Sequence, residues 1–190
     1  MRSILHFYVP SFCAMLEQLR KPELAGKPVV ITHRASGEEY VVSASWEAKA
    51  QGVREGITSR HAGRYSPSAT LLPVDWRLYK DASCVVFDIL SDYSPLLEPQ
   101  GLDRAYMDLT GCSSLFGLPG ATAEEAQKRV AREVGMPVSV GMAQSRLVSS
   151  AAASICKAGE CLEVQAGAER EFISPLAVRY LPGVGWKTEK

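Results

Sequence analysis

Charge is the first chemistry visible in the chain, and it is unevenly spread. Lys49, Arg54, Arg60 and Arg64 face Glu55 alone over residues 49–64, and Asp81, Asp88, Asp92, Glu98, Asp103 and Asp108 face Arg104 alone over residues 81–108. A basic stretch beside an acidic one suits a site where metal-bound phosphates meet cationic side chains; two solvated faces are the plainer reading. The carboxyl end is more specific. Leu181-Pro-Gly-Val-Gly185, followed by Lys187-Thr188, has the form of the hairpin in a helix-hairpin-helix motif. Its glycines let the backbone approach a nucleic-acid phosphate, and a following helix offers its first amides. The same string is also an ordinary tight turn. Gly185 stands five residues from Lys190, so the second helix is expected to be incomplete and the chain to be part of something longer. A phosphate-binding G-x-x-x-x-G-K-[ST] loop, an H-E-x-x-H zinc helix and a G-x-S-x-G elbow are all missing. His6, His33 and His61 are isolated, and the five cysteines are scattered without a C-x-x-C, which reads as buried reduced thiols.

These groups need a scaffold, and the composition supplies one. The 190 residues are 46% hydrophobic and 22% charged, an ordinary globular balance. Lys and Arg total 21, as do Asp and Glu, so a uniformly basic nucleic-acid coat is excluded while a local basic patch is not. No apolar run approaches the roughly 18–20 residues of a membrane span. The opening Met1-Arg-Ser-Ile-Leu-His-Phe lacks the pattern of a secretion signal, so a cytoplasmic protein with no membrane partner is expected.

The periodicity predicts a strand over 3–9, a helix from Ser11 to before Lys21-Pro22, and a hairpin of strands 28–32 and 40–44 turning at Gly37. Short helices over 46–51 and 58–65 and a strand over 71–74 follow. The strongest helix, 76–93, carries Leu78, Tyr79, Ala82, Val85, Val86, Ile89 and Leu90 on one stripe. Strands over 96–99 and 104–109, a turn-rich connection over 110–120, a helix over 123–134, a strand over 137–140 and a helix over 144–157 complete the pattern. Strands and helices that alternate without dinucleotide-fold spacing give an α+β class.

Several segments, in order over essentially the whole chain, resemble the Y-family (DinB-type) translesion DNA polymerases. They are Leu16-Glu17 to Pro22-Glu-Leu-Ala-Gly-Lys-Pro-Val-Val30, Ser45-Trp-Glu-Ala-Lys49, Gly52-Val-Arg-Glu-Gly56, Ser66-Pro-Ser-Ala69, Tyr93-Ser-Pro to Glu98-Pro, Gly101-Leu-Asp-Arg-Ala-Tyr-Met-Asp-Leu-Thr-Gly111, Ser139-Val-Gly-Met-Ala143, Lys157 and Leu181-Pro-Gly-Val-Gly185. The resemblance implies a ferredoxin-like palm over 1–10 and 76–165, an inserted small fingers domain over 11–75, and the start of a helical helix-hairpin-helix thumb over 166–190, the little finger being absent. It also implies nucleotidyl transfer with two Mg²⁺ ions, held by one Asp of the first strand and an adjacent Asp-Glu pair.

Those positions are Tyr8, Asp103 and Arg104 here, so only Asp103 keeps a family carboxylate and it is expected to bind metal weakly at best. A phenol with a pKa near 10 is a poor ligand at neutral pH, and an arginine cannot ligate a metal at all. Asp108 lies roughly 16 Å along the strand from Asp103 and is no substitute. The resemblance places Phe12, Cys13, Ser43, Trp46, Lys49 and Lys157 around a nucleoside triphosphate, and Arg146, Gly183, Gly185 and Lys187 on DNA. Cys13 stands where an aromatic excludes ribose, and Trp46 and Lys49 stand where a Tyr and an Arg hold the triphosphate. Trp46 is otherwise a core tryptophan, and Lys49 and Lys157 are otherwise surface lysines. Three functions stay open. One is a non-catalytic, ImuB-like paralogue that binds primer-template DNA, a sliding clamp or a replicative polymerase in damage-induced (SOS) mutagenesis, in the cytoplasm and on the bacterial nucleoid. The second is a working error-prone polymerase, and the third an interaction scaffold without DNA affinity.

Overall fold

Branched and aromatic residues in Ile-Leu-His-Phe-Tyr favour an extended first strand. The computed structural model describes residues 2–184. In chain order the elements are β1 (Ile4–Tyr8), α1 (Phe12–Arg20), β2 (Val29–Ala35), β3 (Glu38–Ala44), α2 (Trp46–Ala50), α3 (Ser59–Tyr65), β4 (Thr70–Pro73), α4 (Trp76–Ser91), β5 (Leu97–Gln100), β6 (Arg104–Asp108), α5 (Ser113–Phe116), α6 (Pro119–Val134), β7 (Ser139–Ala143), α7 (Arg146–Ile155), β8 (Cys161–Glu163) and α8 (Glu169–Ile173). Two compact units result: residues 11–82, and the described part of 1–10 with 83–190. The division falls inside α4, whereas the sequence puts a junction at 75/76.

The larger unit is built on a five-stranded sheet in the order β5-β6-β1-β7-β8. Strand β1 is antiparallel to both β6 and β7, and β8 is added parallel to β7. Without β8, the order and the helices α4 and α6 give the β-α-β-β-α-β pattern of a ferredoxin-like fold, so the α+β class holds. Side chains alternate across the sheet. Leu5 and Phe7 share one face with Ala105, Met107, Val140 and Met142, all essentially buried. Ile4, His6 and Tyr8 share the other with Asp108, Tyr106 and Arg104 and with Ala143, Gly141 and Ser139. Helix α7 lies on this second face at Gly141, where an added Cβ would sit 2.0 Å from the Ser149 carbonyl oxygen. Four small residues in the run Ser149-Ser150-Ala151-Ala152 permit that approach.

The 11–82 unit has a three-stranded sheet in the order β3-β2-β4, with β2/β3 antiparallel and β2/β4 parallel. The hairpin turns where expected: Ser36 at φ 53° and Gly37 at φ 83° are both left-handed, as a two-residue hairpin loop requires. Val30, Val41, Ala44, Ala48, Val53 and Ala62 form its core. Buried Glu17 of α1 accepts a 3.1 Å hydrogen bond from the Tyr79 hydroxyl of α4, and Lys21 lies 2.9 Å from its other oxygen. Burial, then the Glu17 charge, holds the Tyr79 hydroxyl well above its ordinary pKa. Tyr79→Phe takes a donor from a buried carboxylate and is expected to cost about 1.5–3 kcal/mol, read as a lower urea midpoint.

Three sequence expectations change. Helix α6 starts at Pro119 rather than Ala123, because proline is well placed in a first turn. The 110–120 connection contains the one-turn α5, stopped by Gly117 at φ 83°. The cysteines are free but not fully buried: Cys84 and Cys161 are exposed, and Cys13, Cys112 and Cys156 are half-buried. No helix among the described residues is long and apolar enough to cross a membrane.

Candidate functional site

Pairing of β1 with β6 puts Tyr8 directly opposite Arg104, and pairing with β7 puts it opposite Ser139. Asp103 immediately precedes β6, and its carbonyl accepts the Val9 N–H at 2.8 Å. Tyr8, Asp103 and Arg104 therefore meet at one end of the sheet. The Arg104 guanidinium lies 4.4 Å from the Tyr8 ring centroid and its Nε 3.8 Å from the Asp103 carboxylate. A cation stacked on an aromatic face is held there by the ring quadrupole. One carboxylate beside a permanent cation is a poor fit for a hard divalent ion, which needs several anionic oxygens. No step through a metal follows from these residues.

Lys157 is tied to the same end of the sheet through its backbone. Its carbonyl accepts from the Ser139 hydroxyl at 3.1 Å, and its N–H donates to Glu160, while its ammonium is almost fully solvated. Arg146 opens α7 behind the N-cap Ser145, lies 4.3 Å from the Tyr106 ring centroid and pairs with Glu98. Gly183 adopts φ 85° in a turn closed by the Val184 N–H on the Leu181 carbonyl. Gly185 and Lys187 lie outside the described residues.

Residues 11–82 hold the other predicted set. Phe12 is buried in the first turn of α1, with half-buried Cys13 beside it. The Ser43 hydroxyl accepts the Ala14 N–H at 3.3 Å, so it fixes the start of α1. Ser45 caps α2 and presents Trp46 to solvent at 45% exposure, which removes the core-tryptophan reading. The Lys49 ammonium lies 5.8 Å from the Trp46 ring and 3.3 Å from the Glu55 carboxylate.

The acidic stretch does not converge as its sequence suggests. Asp92 pairs with Arg129 at 2.7 Å, Glu98 with Arg146 and Asp103 with Arg104, while Asp108 accepts the Thr110 N–H at the far end of β6. Among the described residues no three His, Cys, Asp or Glu side chains cluster as a metal site.

Sequence reasoning missed His6 and Tyr106, although each lies two residues from a predicted site residue on a strand and so shares its face. Their ring centroids lie 4.4 Å apart with the planes tilted by 53°, and His6 is buried with both ring nitrogens unpartnered. Burial first, then Arg104 and Arg146, lowers its pKa to about 3. Unfolded His6 titrates near 6.5, so the fold loses stability as pH falls below about 6.5 and keeps losing it to about 3. Between pH 7 and 5 the unchanged protein is expected to lose about 2 kcal/mol more than His6→Phe, read from urea midpoints.

Residues 7–154 match the impB/mucB/samB family. The chain belongs to that family, the Y-family of DNA polymerases. It is 37% identical over 188 residues to a DNA polymerase IV of Dehalococcoides mccartyi, covering 99% of this chain and 48% of that protein. It is 33% identical over 187 residues to a DNA polymerase IV 2 of Mesorhizobium japonicum, covering 98% and 44%. Among solved structures, DinB from Sulfolobus solfataricus superposes with a TM-score of 0.88 at 22% identity, over 98% of this chain and 55% of that one. An insertion ternary complex of Dbh DNA polymerase gives 0.87 at 22%, over 97% and 55%. These likenesses carry the Y-family fold. The chain spans about half the length of the curated relatives it matches.

Proposed function

We propose that this chain is the palm (1–10 and 76–165), fingers (11–75) and first part of the thumb (166–190) of a Y-family protein of DNA repair and translesion synthesis that grips DNA without joining nucleotides. The observation that carries the reading is Arg104, stacked on Tyr8 and beside Asp103 where the family resemblance puts a carboxylate cluster. Two-metal catalysis stabilises both the attacking and the leaving oxygen, and it needs that cluster. Mg²⁺ is therefore not expected to bind tightly here. Phosphate-binding chemistry is better kept: Lys49 beside exposed Trp46 offers a charge and a flat apolar face, and Lys157 offers a solvated ammonium. Triphosphate contact falls to these residues with Phe12, Cys13 and Ser43, and DNA contact to Arg146, Gly183, Gly185 and Lys187. A role in damage-induced mutagenesis, beside a sliding clamp or a replicative polymerase on the bacterial nucleoid, follows from the same reading.

The test is a primer-template titration followed by fluorescence anisotropy at several salt concentrations. Binding whose affinity falls linearly with log salt is expected, as for phosphate contacts. Absence of binding at low salt would leave a protein-interaction scaffold, and nucleotide incorporation by the unchanged chain would establish an active error-prone polymerase.

A further inference from the structure

A cleft of about 260 Å³ opens beside the substituted end of the palm sheet, lined by Tyr8, Arg104, Ser150, Ser154, Arg179 and the turn Leu181–Val184. Arg104 enters from β6, the two serines from consecutive turns of α7, and Arg179 from the short 3-10 turn Val178–Tyr180. Among the described residues, no carboxylate lines it. The Asp103 carboxylate lies 3.8 Å from the Arg104 Nε. The fourth wall is backbone: a Cβ built on Gly183 would meet nothing within 4 Å, so the turn is open to an approaching group.

Two guanidiniums, serine hydroxyls and an accessible turn form an anion-recognition set. Guanidinium forks match phosphate oxygens and stay charged at any physiological pH. The volume falls below the roughly 300 Å³ at which pockets for whole small molecules begin. A single group projecting from a larger molecule fits better than a complete nucleotide.

We propose that this cleft binds a phosphate group without a metal ion, with Arg104 and Arg179 supplying the positive charge that divalent ions supply to Y-family polymerases. The phosphate is a backbone diester of DNA, an assignment that rests on the DNA-binding reading above. The substitution at 104 then does more than remove a metal ligand: it reverses the sign of the site, from one that collects cations to one that collects anions.

The test is anisotropy of a labelled primer-template duplex in excess EDTA at fixed low salt. Arg104→Glu and Arg179→Ala are each expected to weaken binding about tenfold, the size of one lost charge-assisted contact. Arg132→Ala, on the exposed side of α6, should leave it unchanged. Asp103→Asn should tighten binding severalfold, because it frees Arg104 from a competing anion. That sign opposes a metal site, where losing Asp103 weakens binding. Competition by inorganic phosphate and by a deoxynucleoside triphosphate separates sources. Displacement at the same phosphate concentration by both supports a simple phosphate cleft, and preferential displacement by the triphosphate reassigns the group to a nucleotide and overturns the DNA assignment. Equal duplex affinity for the unchanged chain, Arg104→Glu and Arg179→Ala would overturn the cleft while leaving DNA binding in place. Failure of the unchanged chain to bind the duplex would overturn both.

Discussion

Gly141→Val is expected to abolish cooperative folding of the unit built on the five-stranded sheet, and Gly141→Ala to destabilise it by more than about 4 kcal/mol. An added Cβ would stand 2.0 Å from the Ser149 carbonyl oxygen, 2.4 Å from the Ala153 nitrogen and 2.9 Å from the Ala152 Cβ. Two of those atoms are helix backbone, so no rotamer change relieves the overlap and α7 must lift from the sheet. Lifting it would expose Ala151, Ala152 and Ala153, all buried, and displace Ser150 and Ser154 from the phosphate cleft. Gly120→Ala is the control. Its Cβ would meet only the Met142 methyl at 3.7 Å, an ordinary contact, and removing a helical glycine should stabilise by up to about 1 kcal/mol. Thermal and urea melts of the three variants check this, and a Gly141→Ala protein that melts like the unchanged one would contradict the seating of α7.

Tyr8→Asp combined with Arg104→Glu is expected to convert the sheet end from anion-favouring to cation-binding. Residues 8 and 104 are direct cross-strand partners and Asp103 adjoins them, so the double variant gathers three carboxylates in one place. In metal-free buffer it should melt lower than the unchanged protein, because like charges crowd and the Arg104–Tyr8 stacking, worth about 0.5–2 kcal/mol, is lost. Added Mn²⁺ at 100 times its dissociation constant should return about 2.7 kcal/mol to the double variant and leave the unchanged protein's melting point where it was. Scanning calorimetry with and without the ion reads both.

Much of the fold was legible because its signals are local. The helix over Leu78 to Leu90 and the Gly37 turn follow from helical period and turn chemistry and appear in α4 and the β2–β3 hairpin, although Val85 of the expected stripe is 50% exposed and Ser83 is buried. Residues 158–184 were harder: β8 has three residues and α8 five, too short for periodicity to show. Within the candidate site, the Tyr8, Asp103 and Arg104 positions were visible through the family pattern. Their arrangement was not, since the stacking of Arg104 on Tyr8 depends on strand register. The acidic stretch misled because composition cannot say that Asp92 and Glu98 are occupied by Arg129 and Arg146 from distant helices. Arg179 joined the cleft through a turn far along the chain, with no sequence period to announce it.

This Y-family chain is expected to grip DNA with a cationic site where the family pattern puts its catalytic metals. Single-nucleotide primer extension in Mg²⁺ and then Mn²⁺ tests it most directly, comparing the protein that carries this sequence with its Tyr8→Asp/Arg104→Glu variant. No extension by the unchanged protein is expected in either metal, and extension is expected once both carboxylates are restored. Extension by the unchanged protein would contradict it.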